Sequence, residues 1–303
     1  MRKVYLIWSL VLFLLSTNLY SQVGDRITSL DPNNVALYAK PLSTFMGSYF
    51  NSGAYYSAKV SKTFGFRFTI VGMLISIPED KQTFAPVLPE GYDNSTKTAT
   101  FFGNKGTAYP GPIGFIVFPP GIDQSSVPAG IPQVAFSLAG VEAIVRYFPK
   151  FKIDDTETKL LGWGLKYNIS QWIPTSPIDI AIQVLYNNIK VDYNPQEGDA
   201  KERNFFKVSS KNWAFNAHVS KSFNLFNLYG GLQYEKTSMD LDYNFRLDPD
   251  DPDLDQEVAV EIDGDNKVRL TLGAALQLGI LVVNADYNIA SQNLLTGGVS
   301  LAF

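Results

Sequence analysis

The chain has 303 residues, 46% hydrophobic, 14% aromatic and only 18% charged, with 25 basic and 29 acidic residues for a net charge of −4. It contains no cysteine and one histidine, which excludes a disulfide scaffold, a thiol nucleophile, a zinc ribbon and a multi-histidine metal site. Mean hydropathy is −0.02, and past residue 21 no stretch approaches the roughly 18 apolar residues of a membrane-crossing helix, so a bundle of such helices is excluded.

The chain opens on an address. Arg2 and Lys3 precede an apolar run from Val4 to Leu15 and a polar run from Ser16 to Ser21, which predicts a secretory signal peptide cleaved after Ser21. After Asp31–Pro32, the residues Val35, Leu37, Tyr38, Leu42, Phe45, Met46 and Tyr49 fall near helical spacing. A short helix over 31–50 is therefore expected, broken or kinked at Pro41. It is placed as a plug in a lumen rather than at a periplasmic rim; the alternative is a first strand from Thr44 through Val60.

From Tyr55 onward the dominant signal is alternation with period two. Between Lys211 and Lys221, Trp213, Phe215, Ala217 and Val219 point one way, and Asn212, Asn216, His218 and Ser220 the other. Ile178 to Asn187, Val268 to Leu278 and Leu281 to Ile289 repeat the pattern. Strands are predicted near 54–60, 64–77, one or two pieces within 98–118, then 134–150, 158–170, 177–191, 205–221, 225–243, 267–278, 280–291 and 295–303. Pro78–Pro112 and Pro119–Pro132 read as loop.

A soluble sandwich and a transmembrane barrel share such alternation, and three features favour the barrel. Short links (Gly279–Ile280, Lys221–Asn224, Gln171–Pro177) alternate with long charged ones (Asp192–Asn204, Asn244–Asn266). Aromatic residues cluster near strand ends: Tyr147, Phe148, Tyr167, Trp172, Tyr186, Phe223, Phe226, Tyr243 and Tyr287. The last strand alternates through Leu295, Gly297, Val299 and Leu301 to a terminal Phe303, the form of an outer-membrane assembly signal. The expected fold is thus all-β: a transmembrane antiparallel up-and-down barrel of about 12 strands (10–14), with a short helical or irregular segment plugging the lumen. The expected division is signal peptide 1–21, plug or periplasmic segment 22–53 and barrel 54–303.

Parity assigns Arg67, Glu142, Arg146, Lys166, Gln183, Asn212, Asn216, His218, Gln233, Glu235, Arg269, Gln277 and Asp286 to the lumen face. Four basic against three acidic residues is not the single-signed ring of an ion-selective pore; it reads first as a cross-barrel network and second as a permeation lining. His218 lies two residues before Ser220 on one face, a superficial match to an outer-membrane phospholipase, but no third orienting residue is identifiable and no enzyme is expected. Asp248, Asp250, Asp251, Asp253, Asp255 and Glu257 imitate part of a calcium loop, yet Gln256 and Ile262 stand where glycine and glutamate belong, so the run reads as a solvated loop. No metal or cofactor is expected, and an acidic chain without a basic patch is not expected to bind nucleic acid.

Asn51-Ser-Gly53, Ala58-Lys59, Gly65-Phe66, Pro119-Pro-Gly121, Glu142 with Arg146-Tyr-Phe-Pro149, Gly162-x-Gly164-x-Lys166 and Gln171-Trp-Ile-Pro174 resemble an uncharacterised family of Gram-negative outer-membrane β-barrels, over nearly the whole mature chain. More distantly the chain is similar to long-chain fatty-acid transporters of the outer membrane, which carry an N-terminal plug; their Asn-Pro-Ala element is not matched by Asp31-Pro-Asn33. The resemblance implies a location in the Gram-negative outer membrane, with outer-membrane lipid, lipopolysaccharide and the barrel-assembly machinery as partners. A channel or transporter for a small hydrophobic or amphipathic molecule is expected; the alternative is a structural or surface-interaction barrel with a sealed lumen. Lumen lining is assigned to Arg67, Glu142, Arg146, Lys166, His218, Glu235, Arg269 and Asp286, and the assembly signal to Val299, Leu301 and Phe303.

Overall fold

A computed structural model describes residues 30–153, 156–173, 175–193, 205–245 and 256–303. The signal segment 1–21 and the acidic residues 248–255 lie outside them. In chain order the elements are helix α1 (Pro32–Phe50), strand β1 (Gly65–Ser76), four short strands β2 (Thr83–Phe84), β3 (Thr98–Ala99), β4 (Ala108–Gly111) and β5 (Gly114–Val117), then β6 (Ser126–Leu138), β7 (Val141–Ile153), β8 (Thr156–Asn168), β9 (Asp179–Tyr193), β10 (Phe206–Phe223), β11 (Phe226–Phe245), β12 (Gln256–Asp263), β13 (Val268–Leu278), β14 (Leu281–Ile289) and β15 (Leu294–Ala302).

Ten antiparallel strands close a barrel in the order β1-β6-β7-β8-β9-β10-β11-β13-β14-β15, and β15 returns to β1 with Arg67 opposite Ala302 and Ile75 opposite Leu294. Closure leaves these strands no free edge. β12 lies outside the ring: β13 pairs with one half of β11 (Phe226 to Tyr234), and β12 with the other (Ser238 to Phe245). Ten closed strands plus this eleventh fall within the expected ten to fourteen.

The links divide between two ends. Residues 139–140, 169–178, 224–225 and 279–280 turn the chain at one end, where Phe303 also lies paired with Phe66 (Phe303 N to Phe66 O, 2.8 Å). The long 77–125 connection, which carries β2–β5, spans the other end. We call these the turn end and the loop end.

The structure corrects three expectations about elements. The predicted strand 134–150 is a hairpin, β6–β7, closed by Ala139 and Gly140 at φ 52° and 80°. Such a two-residue turn matches the twist of the strands it joins, and alanine gives no warning of it. No strand occupies 54–60; residues 51–64 are irregular and run inside the barrel. Pro41 does not break α1, which is helical from Pro32 to Phe50. A proline there removes one intrahelical bond at a cost of about 3 kcal/mol. The surrounding wall offsets that cost: Pro41 is buried, and its carbonyl accepts from Gln292 Nε2 at 3.0 Å.

Along the long strands the two faces exchange character partway up. On β10, outward Trp213, Phe215, Ala217 and Val219 face inward Asn212, Asn216, His218 and Ser220, but nearer the loop end outward Lys207, Ser209 and Lys211 face inward Phe206 and Val208. On β11, outward Leu232 and Tyr234 over inward Gln233 and Glu235 give way to outward Asp240 and Asp242 over inward Leu241 and Tyr243. The turn-end half is thus apolar outside and polar inside; the loop-end half is built like a soluble barrel, with its own apolar core. Tyr243, expected in an outer aromatic girdle, is fully buried in that core instead.

Candidate functional site in the barrel lumen

α1 forms where Asp31 caps its first turn, accepting from the N–H groups of Asn33 and Asn34 at 3.0 and 3.3 Å, and Pro32 occupies the first position. Its start is tied to the loop end: Tyr243 donates to the Leu30 carbonyl (3.0 Å), and Asn34 Nδ2 to the carbonyl of Val87 in the long connection (2.8 Å). Tyr38, Phe45 and Phe50 are buried among Phe101, Phe102, Phe206 and Ile131. Residues 30–64 therefore run down the lumen as an internal thread, α1 followed by an irregular strap (51–64), from the loop end to the start of β1 at the turn end.

The C-terminal end of α1 faces the polar half of the wall. The last carbonyls of a helix lack intrahelical donors and carry a partial negative charge. Here wall side chains supply the donors. Arg146 donates to the carbonyls of Phe50 (2.6 Å) and Ser52 (2.7 Å) and to Gln133 Oε1. Asn187 donates to Phe50, Gln233 to the Asn51 carbonyl and Gln133 to the Gly53 carbonyl. Arg269 reaches the Ser48 carbonyl and the Ser52 hydroxyl while its Nε lies 2.6 Å from Glu235 Oε1. Both arginines are buried to 1% exposure or less.

Nearer the turn end, Glu142 Oε1 takes Arg67 Nη2 and Lys166 Nζ, each at 2.8 Å, a buried trio with one positive charge in excess. Lys166 also donates to the Ser57 carbonyl, and Arg67 lies over the Tyr56 ring at 5.2 Å. Asp286 accepts from Tyr229 (2.8 Å) and Asn288 (2.6 Å). His218 stacks on Tyr55 with ring centroids 3.9 Å apart, and its Nδ1 lies 2.7 Å from Asn216 Oδ1. Ser220 is held by Ala58 N and the Ser57 hydroxyl, so this histidine and serine are engaged separately by the thread.

All eight side chains assigned to the lumen point inward and are buried. They do not form one constellation: Arg146, Glu235 and Arg269 hold the end of α1, Arg67, Glu142 and Lys166 hold the strap below it, and His218 and Asp286 lie on other strands. Two cavities flank that strap at the turn end. One, of about 380 Å³, is bounded by Arg67, Glu142, Lys59 and the rings of Phe66, Phe226 and Phe303; the other, of about 550 Å³, by Lys59, Lys62, Gln171 and Asp179.

Parity alone missed the apolar upper lumen, although Val71, Met73 and Ile75 continuing the inward series of Arg67 and Thr69 carry the signal. It also missed Gln133, Asn187 and Asn168 as anchors of the thread. The motif residues meet at these contacts. Asn51-Ser-Gly53 is the end of α1, Ala58 is held by Ser220 and Asn168, and Gly162 leaves room for Asn187 and Arg146 to cross it.

No helix among the described residues is long and apolar enough to cross a membrane, which says nothing of crossing by strands. No curated protein matches the chain. Among solved structures it is similar to the translocator domain of autotransporter NalP from Neisseria meningitidis (11% identity, 90% of this chain and 98% of that one, TM-score 0.31). It is also similar to the TodX monoaromatic hydrocarbon channel deltaS2 mutant (12%, 80% and 67%, 0.28) and to a Pseudomonas aeruginosa FadL homologue (8%, 92% and 95%, 0.29). The fold is a closed antiparallel β-barrel, and the chain belongs, over residues 1–303, to the family described as "Family of unknown function (DUF6588)".

Proposed function

We propose that this chain is a barrel of the Gram-negative outer membrane, delivered by a signal peptide cleaved after Ser21, with its turn end toward the periplasm, and that it passes or binds a small hydrophobic or amphipathic molecule. The observation that carries this reading is the graded lumen: an apolar, aromatic half at the loop end continues into a half with excess positive charge at the Arg67–Glu142–Lys166 trio. An amphipathic solute matches both parts in that order. The thread fills the lumen in this conformation, so passage requires displacing the strap 51–64, which has no regular structure and already borders two cavities. Short turns inward and long loops outward is the usual arrangement of such barrels. Val299 and Leu301 lie outward on the closing strand and Phe303 lies exposed just beyond its end, where assembly machinery would meet them. No catalytic role is proposed.

Liposome uptake of a small amphipathic dye tests the reading, using the wild type and an Asn168→Ala/Ser220→Ala variant that loosens the strap. Uptake in either, rising in the variant, supports it. No uptake in both, nor after deletion of residues 22–50, overturns it. The second reading, a sealed barrel acting through its segments 192–204 and 244–266, the latter carrying β12 rather than the expected link, is favoured by the fastening of α1 to Arg146 and Arg269, and it gains if all three are tight.

A further inference from the structure

On the outside of the barrel, Lys159 of β8 and Lys190 of β9 stand directly opposite each other in the antiparallel register, and both are exposed. Facing side chains of such a pair begin about 5 Å apart, and like charges there are destabilising. Two residues nearer the loop end the next outward pair is Glu157 opposite Asp192, and neither makes an ion pair with Lys159 or Lys190. The residue next across on β10 is Ser209. On β7 the ladder slips between Phe148 and Phe151, and the bulge brings Lys150 beside Lys159. Lys150 takes Glu157 at 2.7 Å, and Lys211, lower on β10, takes Asp240 at 3.1 Å. Lys159 and Lys190 make no ion pair with any described residue.

Below them, past the outward row of Leu161, Asn188 and Lys211, lies an aromatic row. Trp163, Tyr186 and Trp213 are register partners across β8, β9 and β10, with ring centroids 4.5 to 6.1 Å apart. This is where the outward face changes from charged to apolar. Below it the outer wall holds an apolar groove of about 610 Å³, floored by Ala217 and walled by Leu165, Ile182, Phe215, Leu232 and Tyr234. Four residues of a tilted strand separate the lysines from the aromatic row, about 10 Å of height. The polar layer of a bilayer is about 5–8 Å deep on each side, with aromatic rings at its boundary with the hydrocarbon, so the lysines stand at the headgroup level just above the aromatic row.

We propose that Lys159 and Lys190, flanked by Lys150 and Lys211, hold a phosphate-bearing glycolipid of the outer leaflet, its phosphate between the two free ammonium groups and an acyl chain in the groove beneath. An anion placed there turns a repulsive pair into two charge-assisted contacts. Continuity with the apolar band selects a lipid over a soluble partner, and the inference rests on the loop end being the cell-surface end.

The test is binding of the full-length protein in detergent micelles to bisphosphorylated lipid A, to the same lipid with both phosphates removed, and to phosphatidylglycerol. The wild type should bind bisphosphorylated lipid A at least tenfold more tightly than the dephosphorylated form and than phosphatidylglycerol. Lys159→Gln/Lys190→Gln should abolish that preference, while Lys97→Gln/Lys105→Gln, on the outer connection, should keep it. The double variant removes a repulsion, so its unfolding temperature without lipid should equal or exceed the wild type's, which guards against a folding artefact. Equal binding of the two lipid A forms, equal binding of phosphatidylglycerol, or an unchanged preference in the double variant overturns the proposal. Failure of the orientation is separately visible: an Asn33→Cys variant would then be labelled only after the outer membrane is permeabilised.

Discussion

Arg146 and Phe50 are joined across the lumen by a 2.6 Å hydrogen bond between a guanidinium of the barrel wall and a carbonyl at the end of the internal helix, 96 residues away in sequence. The arginine has no carboxylate partner among its hydrogen bonds; it is compensated by the Phe50 and Ser52 carbonyls and by Gln133. Arg146→Met removes these donors at a cost of about 1–3 kcal/mol for each buried acceptor left unsatisfied. The heat-unfolding midpoint should fall, and ion conductance in planar bilayers should rise as α1 loosens. Arg146→Lys should lie between, since a single ammonium reaches fewer acceptors.

Glu235 and Arg269 form the best-buried ion pair of the lumen, at 2.6 Å. Glu235→Leu alone leaves a buried arginine without its carboxylate and should cost about 3–5 kcal/mol. Adding Arg269→Met should cost less than the sum of the two single changes, with a coupling of about 0.5–3 kcal/mol. Guanidinium titration of the four proteins measures the cycle.

Gly162 lies under the crossing of Asn187 and Arg146. A β-carbon at that position would fall 3.0 Å from Asn187 Cγ and 3.2 Å from Arg146 Cβ, with backbone strands on both sides. Gly162→Val should therefore destabilise by about 1–3 kcal/mol, and it should raise dye uptake by pushing Asn187 off the Phe50 carbonyl. A variant as stable and as tight as the wild type would remove this account of the Gly162-x-Gly164 motif.

At the loop end Asp265 holds two lysines, Lys40 of α1 at 3.2 Å and Lys81 of the outer connection at 3.1 Å. Partial burial pushes its carboxyl up, but hydrogen bonds and charge from Lys81 and Lys40 outweigh this and hold it below the usual carboxylate range. The folded value is thus lower than the unfolded one, near 3.9. The stabilisation is complete above that value and is lost as pH falls through the folded one. These groups are partly exposed, so Asp265→Asn should cost no more than about 1 kcal/mol at pH 7, and the difference from wild type should vanish in strong acid. Unfolding midpoints at both pH values decide it.

The direction of the internal thread can be read by chemistry, because the chain has no cysteine of its own. Asn33 is exposed at the loop end and Ser222 at the turn end. In intact cells a membrane-impermeant maleimide should label Asn33→Cys, whereas Ser222→Cys should react only once the outer membrane is permeabilised. The reverse pattern would invert the proposed orientation.

Much of this barrel was legible without coordinates. Period-two alternation over 8–12 residues placed β8 to β11 and β13 to β15 within two residues or so, because side chains of a strand must alternate between its two faces, but β12 lies inside the Asn244–Asn266 stretch expected as a link. Asp31–Pro32 marked the start of α1 for the equally local reason that a helix needs a capping acceptor. Local rules failed at Ala139–Gly140, where alanine takes a left-handed conformation that only the hairpin enforces.

What the sequence could not decide is what lies on the far side of each face. Alternation separates two faces without saying what either one meets. Tyr243 and Trp213 look alike in the strand pattern, yet one is buried in a core and the other lies in an outward aromatic row. The difference follows from α1 and the 77–125 connection filling the loop-end lumen, which makes the inward positions there apolar. Likewise Arg146 and Arg269 were legible as inward charges, but their partners are carbonyls of a helix 96 and 221 residues away. Only closure of the ten strands around the thread brings those groups together. Local periodicity thus determined the strands and their faces, and tertiary packing determined which half of the lumen is a polar lock and which is a core.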